Sequence, residues 1–278
     1  MLRDRWGYCN KVCVVTGAAS GIGKATAELL VELGAQVYAL DLRQAPADGL
    51  ARSIQVNLSD RDSIDAAFAQ IPDKIDCFFG VAGATGHSTD YITTFHINFT
   101  CNQYMVRKHL LERMSEGGSI CFITSTAGLR WEREDKLKLS TPVVTARSWD
   151  EVDTILADRG VKDISGKQAY APSKRALNHL AAVLAVELGS KKIRVNAVLP
   201  GSTETGMTAD FVSSLGSKER LVQYTGFAQR LAAPEEMAGP LVFLGSGMAS
   251  YISGVHLVVD YALNTNIILG NVPDMFGY

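Results

Sequence analysis

Apolar residues fall into two alternating rhythms along the first half of the chain. Short runs dominated by β-branched and aliphatic residues, Lys11-Val12-Cys13-Val14-Val15, Gln36-Val37-Tyr38-Ala39-Leu40, Ser53-Ile54-Gln55-Val56 and Ser119-Ile120-Cys121-Phe122-Ile123, predict buried strands. Between the first two, Ala25, Leu29, Leu30 and Leu33 recur at helical spacing and stop at Gly34, a natural helix terminator. Later, Ser148 and Glu151 form a capping box in front of an apolar face of Trp149, Val152, Ile155 and Leu156 that ends before Gly160. Met207, Phe211, Val212, Leu215, Leu221, Tyr224 and Phe227 suggest two further helical stretches. Strands alternating with helices through short Gly- or Asp-bearing turns predict a parallel, doubly wound α/β sheet.

The chain has 278 residues and 47% hydrophobic content, enough for one sizeable core, so a single domain over 1–278 is expected. A net charge of −2 offers no footprint for nucleic acid or an anionic membrane. Met1 to Trp6 lacks the apolar core of a signal peptide and no stretch reaches transmembrane length, so no membrane association and a cytoplasmic location are expected. The five cysteines, Cys9, Cys13, Cys77, Cys101 and Cys121, lack paired-ligand spacing and read as small hydrophobes. The five histidines form no zinc pattern, and no metal site is predicted; His87 is set apart only by lying in a loop on the ligand side of the sheet.

The first strand runs directly into Thr16-Gly17-Ala18-Ala19-Ser20-Gly21-Ile22-Gly23, and a helix follows at once. Glycines in such a turn let a pyrophosphate approach the backbone, and the helix N-terminus offers free N–H groups. The second strand ends at Asp41, whose carboxylate can accept hydrogen bonds from ribose hydroxyls and would repel a 2′-phosphate. With no basic residue inside the turn, NAD is favoured over NADP, although Arg43 stands nearby. The third strand ends at Asn57-Leu58-Ser59-Asp60, which either borders an adenine or caps the next helix through Asp60 or Ser59.

Tyr170 and Lys174, four residues apart, place a phenol and an ammonium on one helix face. At about 5 Å and an effective dielectric of about 20, their attraction is roughly 3 kcal/mol, or about 2.4 pKa units. Lys174 is thereby expected to draw Tyr170 from about 10 toward 7.5, within reach of acid-base work at cellular pH.

Taken in order from about residue 11 to residue 260, these motifs resemble the short-chain dehydrogenase/reductase family. Thr16 to Gly23 is similar to the family's Thr-Gly-xxx-Gly-x-Gly turn, Asn98 falls at its catalytic asparagine, Ser125 at its catalytic serine, and Tyr170 and Lys174 at its catalytic pair. Pro200 and Gly201, with Thr203 and Thr205 beyond, resemble the segment that holds the nicotinamide carboxamide. The resemblance implies a Rossmann-type domain binding NAD through Gly17, Ser20, Gly21, Ile22, Gly23, Asp41, Asn57, Leu58, Ala82, Gly83, Tyr170, Lys174 and the 200–205 segment. It also implies that Ser125 and Tyr170 hold the substrate oxygen, that Asn98 braces a water leading from Lys174 to solvent, and that the protein is a homodimer or homotetramer.

Three departures stand out. Gly80-Val81-Ala82-Gly83 replaces the common Asn-Asn-Ala-Gly, and Asp260-Tyr261-Ala262 replaces Asp-Gly-Gly. An insert, about 129–167, separates Ser125 from Tyr170; with it the chain looks most like the bacterial 3α-hydroxysteroid dehydrogenase/carbonyl reductase branch. Its position between two catalytic residues predicts a wall, a lid or an interface beside the reacting carbon, and its charged run Arg130 to Lys138 reads as a solvated face. The apolar loop, about 202–228, is expected to form a small lid over an apolar cleft. The tail, 263–278, is too apolar to stay in water and should dock. The expected substrate is therefore a hydrophobic secondary alcohol or ketone, steroid-like or an aryl alkyl carbinol. An aromatic amino alcohol or small polar alcohol is the alternative, with an NAD-dependent epimerase or a non-catalytic nucleotide-binding protein as readings from other classes.

Overall fold

Alternation along each strand sorts the core into two layers. Val14 and Phe78 face one side of the sheet, while Cys13, Val15, Cys77 and Phe79 face the other, and all are buried. The computed structural model describes residues 5–274. Its seven strands are β1 Val12–Thr16, β2 Gln36–Asp41, β3 Arg52–Gln55, β4 Ile75–Gly80, β5 Met114–Ile123, β6 Arg194–Pro200 and β7 His256–Val259. They form one parallel sheet in the order β3-β2-β1-β4-β5-β6-β7. The order reverses between β1 and β4, so the crevice at their C-terminal ends is where such a sheet takes a ligand.

One face is covered by α1 (Gly21–Glu32) and by α9 (Pro234–Gly245), which bury Leu30, Leu241 and Val242. The other carries α2 (Arg61–Phe68), α3 and α6 (Tyr170–Glu187). Helix α3 joins the segments Tyr91–Phe95, His96–Thr100, Cys101–Tyr104 and Met105–Leu110, the second and fourth wound more widely as π turns. Asp60 caps α2 by accepting from the Asp62 N–H at 3.0 Å, so the capping reading of that turn holds.

The insert forms two helices, α4 (Glu134–Thr145) and α5 (Trp149–Asp158), where the hydrophobic pattern indicated only the second. Ser148 caps α5 as the capping box requires. The missed α4 contains Pro142 and has little apolar periodicity. Both helices lie on the outer face of α3 and α6. Gln103 of α3 donates to the Val143, Val144 and Ala146 carbonyls, His96 meets Asp153 at 2.6 Å, and Ser140 meets His179 at 2.8 Å. Trp149 is buried in the core with its ring edge-on to Tyr104 and His96. The insert's far end does return to the ligand side, where Ser165 pairs with Asp90. Its body is thus a second layer over the helices. A lid is not what these contacts describe.

The 202–228 segment carries α7 (Thr208–Leu215) and α8 (Lys218–Gln223). Beyond β7, α10 (Leu263–Ile268) docks through Leu263, which lies against Gly226, while Ile268 and Leu269 are exposed. The rest of the predicted docking tail, 275–278, lies outside the described residues. Among the described residues no helix is long and apolar enough to cross a membrane.

Candidate active site

The glycine turn sits at the C-terminal end of β1, and its glycines are fixed by space as well as by angle. A Cβ on Gly17, which has φ +71°, would lie 2.8 Å from the Ala82 Cα. One on Gly23 would lie 2.1 Å from the Gly17 carbonyl oxygen. Gly21, at φ +54°, opens α1, and a Cβ there would approach Thr205 at 3.2 Å. The cradle is thus bare backbone, closed on one side by Ala82 and on the other by Thr205, as a pyrophosphate needs. Thr16 holds it to β4, accepting from the Val81 and Ala82 N–H groups at 3.0 and 3.2 Å.

Asp41 ends β2 beside this turn. Its carboxylate accepts from the Ala19 N–H and the Arg43 N–H, both at 3.0 Å, so it braces the turn it overlooks. The Arg43 guanidinium reaches back to the Ser20 hydroxyl at 3.2 Å. Asn57 spends its carbonyl on Ser59, and the Leu58 side chain is buried in the core, so Leu58 can face a ligand only through its backbone. Gly201 closes β6 against β7, donating to Val259 at 2.9 Å, while Thr203 and Thr205 fold back on their own turn.

The four predicted catalytic side chains meet at the C-terminal edge of β4, β5 and β6. Lys174 is 3% exposed, and its Nζ donates to the Ile123 carbonyl at 3.3 Å. Asn98 lies in the π turn of α3; it accepts from the Ala84 N–H at 2.8 Å and donates to the Ala84 carbonyl and the Ser173 hydroxyl at 3.0 Å. A Cβ on Gly83 would sit 3.2 Å from Asn98 Oδ1 and 3.3 Å from Lys174 Nζ, so both groups face one small space. Ser125 caps the short turn that leaves β5, accepting from the Ala127 N–H at 3.1 Å, and its hydroxyl acts on the Tyr170 phenol.

Electrostatics depart from the expectation drawn from spacing. Burial raises the Tyr170 phenol above its ordinary value, and only the Ser125 hydrogen bond pulls it back. Burial also pulls Lys174 down, to about 8. Its Nζ lies 5.9 Å from the Tyr170 ring centroid, and at that range desolvation of each group outweighs their mutual attraction. The Tyr170 pKa is therefore not brought toward 7.5 by Lys174 in this arrangement. Burial thus disfavours both the phenolate and the ammonium, although Lys174, at about 8, still carries its proton at neutral pH.

Residues 11–133 match the family described as short chain dehydrogenase, and residues 151–264 the one described as Enoyl-(Acyl carrier protein) reductase. The chain is 31% identical to the coniferyl-alcohol dehydrogenase of Pseudomonas sp. (strain HR199 / DSM 7063), over 91% of this chain and 96% of that protein. It belongs to the short-chain dehydrogenase/reductase family. It is also 30% identical to the cis-4-hydroxycyclohexanecarboxylate dehydrogenase of Sinomonas cyclohexanicum, covering 91% of this chain and 96% of the relative. In fold it is similar to the NADH complex of the 3-alpha-hydroxysteroid dehydrogenase from Pseudomonas sp. B-0831, with a TM-score of 0.76 and 23% identity over 93% of this chain and 98% of that one.

Each departure from the family's motifs has a local partner. A Cβ on Gly80 would lie 2.5 Å from Asn102 Oδ1 and 2.7 Å from Phe122 Cδ1, so these side chains fill the space where many members of the short-chain dehydrogenase/reductase family carry asparagine. Asn102 in turn donates to the Asn98 carbonyl at 3.2 Å. At the other departure, Tyr261 and Ala262 adopt φ +51° and +66°, left-handed backbone that glycine would take without strain.

Sequence reasoning missed the way the 202–228 segment is latched. Asp210 of α7 hydrogen-bonds Thr85, and His87 meets Ser214 at 3.0 Å with its Nδ1 3.9 Å from Asp210. Phe211 packs edge-on to Tyr170 at 5.7 Å, and the Met207 methyl lies close to Gly83. Sequence position marks His87 only as a loop residue. Its partners lie on a distant helix, and no local signal could reveal them.

Proposed function

We propose that this chain is an NAD-dependent alcohol dehydrogenase/carbonyl reductase acting on a hydrophobic secondary alcohol or ketone, steroid-like or an aryl alkyl carbinol. The observation that carries this reading is the Tyr170 phenol, with Ser125 acting on it, neighboured by buried Lys174, and covered by the apolar Phe211. Relatives named for coniferyl alcohol and for cis-4-hydroxycyclohexanecarboxylate support an alcohol–ketone reaction.

The bare turn Gly17, Ser20, Gly21, Ile22 and Gly23 would take the pyrophosphate, Asp41 the adenosine ribose, and Asn57 and the Leu58 backbone the adenine. Ala82 and Gly83 would form the floor, and Pro200, Gly201, Thr203 and Thr205 would receive the carboxamide. When bound, the nicotinamide ring accepts or returns the hydride. In oxidation Ser125 holds the substrate hydroxyl and Tyr170 removes its proton. A protonated Lys174 favours the phenolate and anchors the nicotinamide ribose, and Asn98 orders the exit route for the proton. Met207, Phe211, Val212 and Leu215, all half-buried, supply the apolar wall over the substrate.

We further propose a cytoplasmic homodimer or homotetramer, supported by the exposed apolar side chains Tyr261, Ile268 and Leu269 near the C-terminus. A second cofactor reading, use of NADP, draws support from the Arg43 guanidinium held at Ser20, beside the place a 2′-phosphate would occupy. The deciding experiment follows NADH and NADPH consumption with a steroid ketone, acetophenone and a small polar ketone. NADH consumption with the two bulky ketones is expected. Its absence with every ketone, or isomerisation of a substrate without release of NADH, would overturn the proposal.

A further inference from the structure

Ser125 and Tyr170 lie on opposite sides of the insert in sequence, so the chain between them is too long to fix their separation. Lateral contacts must do it. Asn178 stands one turn beyond Lys174 on α6 and is fully buried. Its Nδ2 donates to the Gly128 carbonyl at 2.9 Å, and Gly128 ends the short turn that Ser125 caps. The Gly128 N–H in turn donates to the Ser125 carbonyl at 2.9 Å, so this one residue passes the contact from α6 to the serine. The fit leaves no slack. A Cβ on Gly128 would lie 2.6 Å from Asn178 Nδ2 and 3.0 Å from the Lys174 carbonyl oxygen, so the turn rests on the α6 backbone between Lys174 and Asn178.

Asn178 is itself tied to a third element. The His256 Nε2 of β7 lies 2.9 Å from the Asn178 carbonyl, and because a carbonyl can only accept, the imidazole donates. The Trp131 ring packs tilted against His256 at 4.8 Å. Asn178 Oδ1, by contrast, is buried and has no hydrogen-bond partner among the described residues. A leucine of similar shape would remove that unpartnered acceptor and leave the Gly128 carbonyl without its donor instead, an exchange nearly neutral for folding. Stability alone therefore does not call for an amide here. Holding the Ser125 turn does.

We propose that Asn178 is a positioning residue for the reaction: through Gly128 it sets where Ser125 stands against Tyr170 and Lys174. It rests on the assignment of Ser125 and Tyr170 to the reacting oxygen. Asn178 acts through the serine and needs no contact with substrate or cofactor.

The parent, Asn178→Leu, Ser125→Ala and the double variant test this in two ways. Hydrogen exchange at the amides of residues 125–128 should quicken at least about threefold in Asn178→Leu, the worth of a lost hydrogen bond. Its melting temperature should move by no more than about 4 °C, because one unpartnered acceptor replaces another. In ketone reduction Asn178→Leu should lower kcat at least about tenfold while NADH affinity stays within about twofold. In the Ser125→Ala background the same change should cost no more than about twofold further, since a brace is worth little once the group it aims is gone. The proposal is overturned by unchanged exchange, by an unchanged kcat, or by an equal loss in the Ser125→Ala background, which places the effect on Lys174 instead. If the parent consumes no NADH with any ketone, the proposed function falls, and the exchange measurement, which needs no substrate, still decides whether Asn178 holds Ser125.

Discussion

Gly80→Ala tests whether Asn102 and Phe122 truly replace the asparagine that the family commonly carries at this point. The new methyl would meet Asn102 Oδ1 at 2.5 Å and Phe122 Cδ1 at 2.7 Å, roughly 0.7 to 0.9 Å inside the 3.4 Å at which ordinary contact begins. Both neighbours are buried in packed surroundings, so neither can swing into solvent. Overpacking of this kind costs about 1 to 3 kcal/mol, and two simultaneous clashes argue for the upper half. Thermal unfolding should then shift down by roughly 4 to 12 °C. Activity should suffer separately, since Asn102 donates to the Asn98 carbonyl and displacing it disturbs the π turn that aims Asn98 at Gly83. A shift of that order near the reacting groups can lower kcat by about 10²-fold. Combining Gly80→Ala with Asn102→Ala removes the oxygen that clashes, so the double variant should be more stable than the sum of the two single losses predicts, by at least about 1 kcal/mol. Melting curves and ketone reduction rates on the three variants decide it. If Gly80→Ala melts within about 1 °C of the parent and keeps its kcat, the space is not filled as described and the argument fails.

Tyr170→Phe should lower turnover by 10²- to 10⁴-fold while NADH binding stays near the parent value; turnover above a tenth of the parent would remove Tyr170 from its role. Asp41→Ala should weaken NAD by roughly 10- to 150-fold, the worth of a charge-assisted hydrogen bond, with NADP weakened less, as read by fluorescence titration. Ala262→Gly should raise stability by about 1 kcal/mol, because glycine relieves the left-handed backbone there; an unchanged urea midpoint would count against strain at this turn. His96, His109, His179 and His256 are all held below their ordinary 6.5 by burial, against the pull of Asp153 on the first and Asp65 on the second. Their folded pKa values lie below the unfolded one, so their contribution is complete above pH 6.5 and is lost as pH falls below it. Each adds at most about 1.4 kcal/mol per pH unit. Urea unfolding between pH 7.5 and 5.5 should show this loss, and His179→Gln should reduce it.

The parts of the site that lie along one strand–turn–helix unit were legible. Thr16 to Gly23 and Asp41 owe their roles to local backbone and to the end of one strand, and the spacing of Tyr170 and Lys174 is a property of a single helix. What escaped reading depends on segments far apart in the chain. The fit of Gly80 against Asn102, the Asp210–Thr85 latch and the burial of Trp149 against Tyr104 are tertiary facts with no periodic signature. The Tyr170 pKa went the other way for a related reason: spacing gives the attraction between two charges, whereas their desolvation depends on everything packed around them.

The closing of the glycine turn by Thr205 has a consequence for the order of events in synthesis. Gly17 leans on Ala82 and Gly21 on Thr205, so the cradle borrows one wall from the middle of the chain and another from its last third. A nascent chain that has already emitted β1, α1 and β2 holds every glycine of the turn and still lacks both walls. At about 5 to 20 residues per second, an emerging chain passes many seconds with an open, apolar-edged sheet before residue 205 arrives. Cofactor capture is thus a late step of folding, and a truncation before residue 205 would leave a turn with the family's full motif and no grip on its ligand.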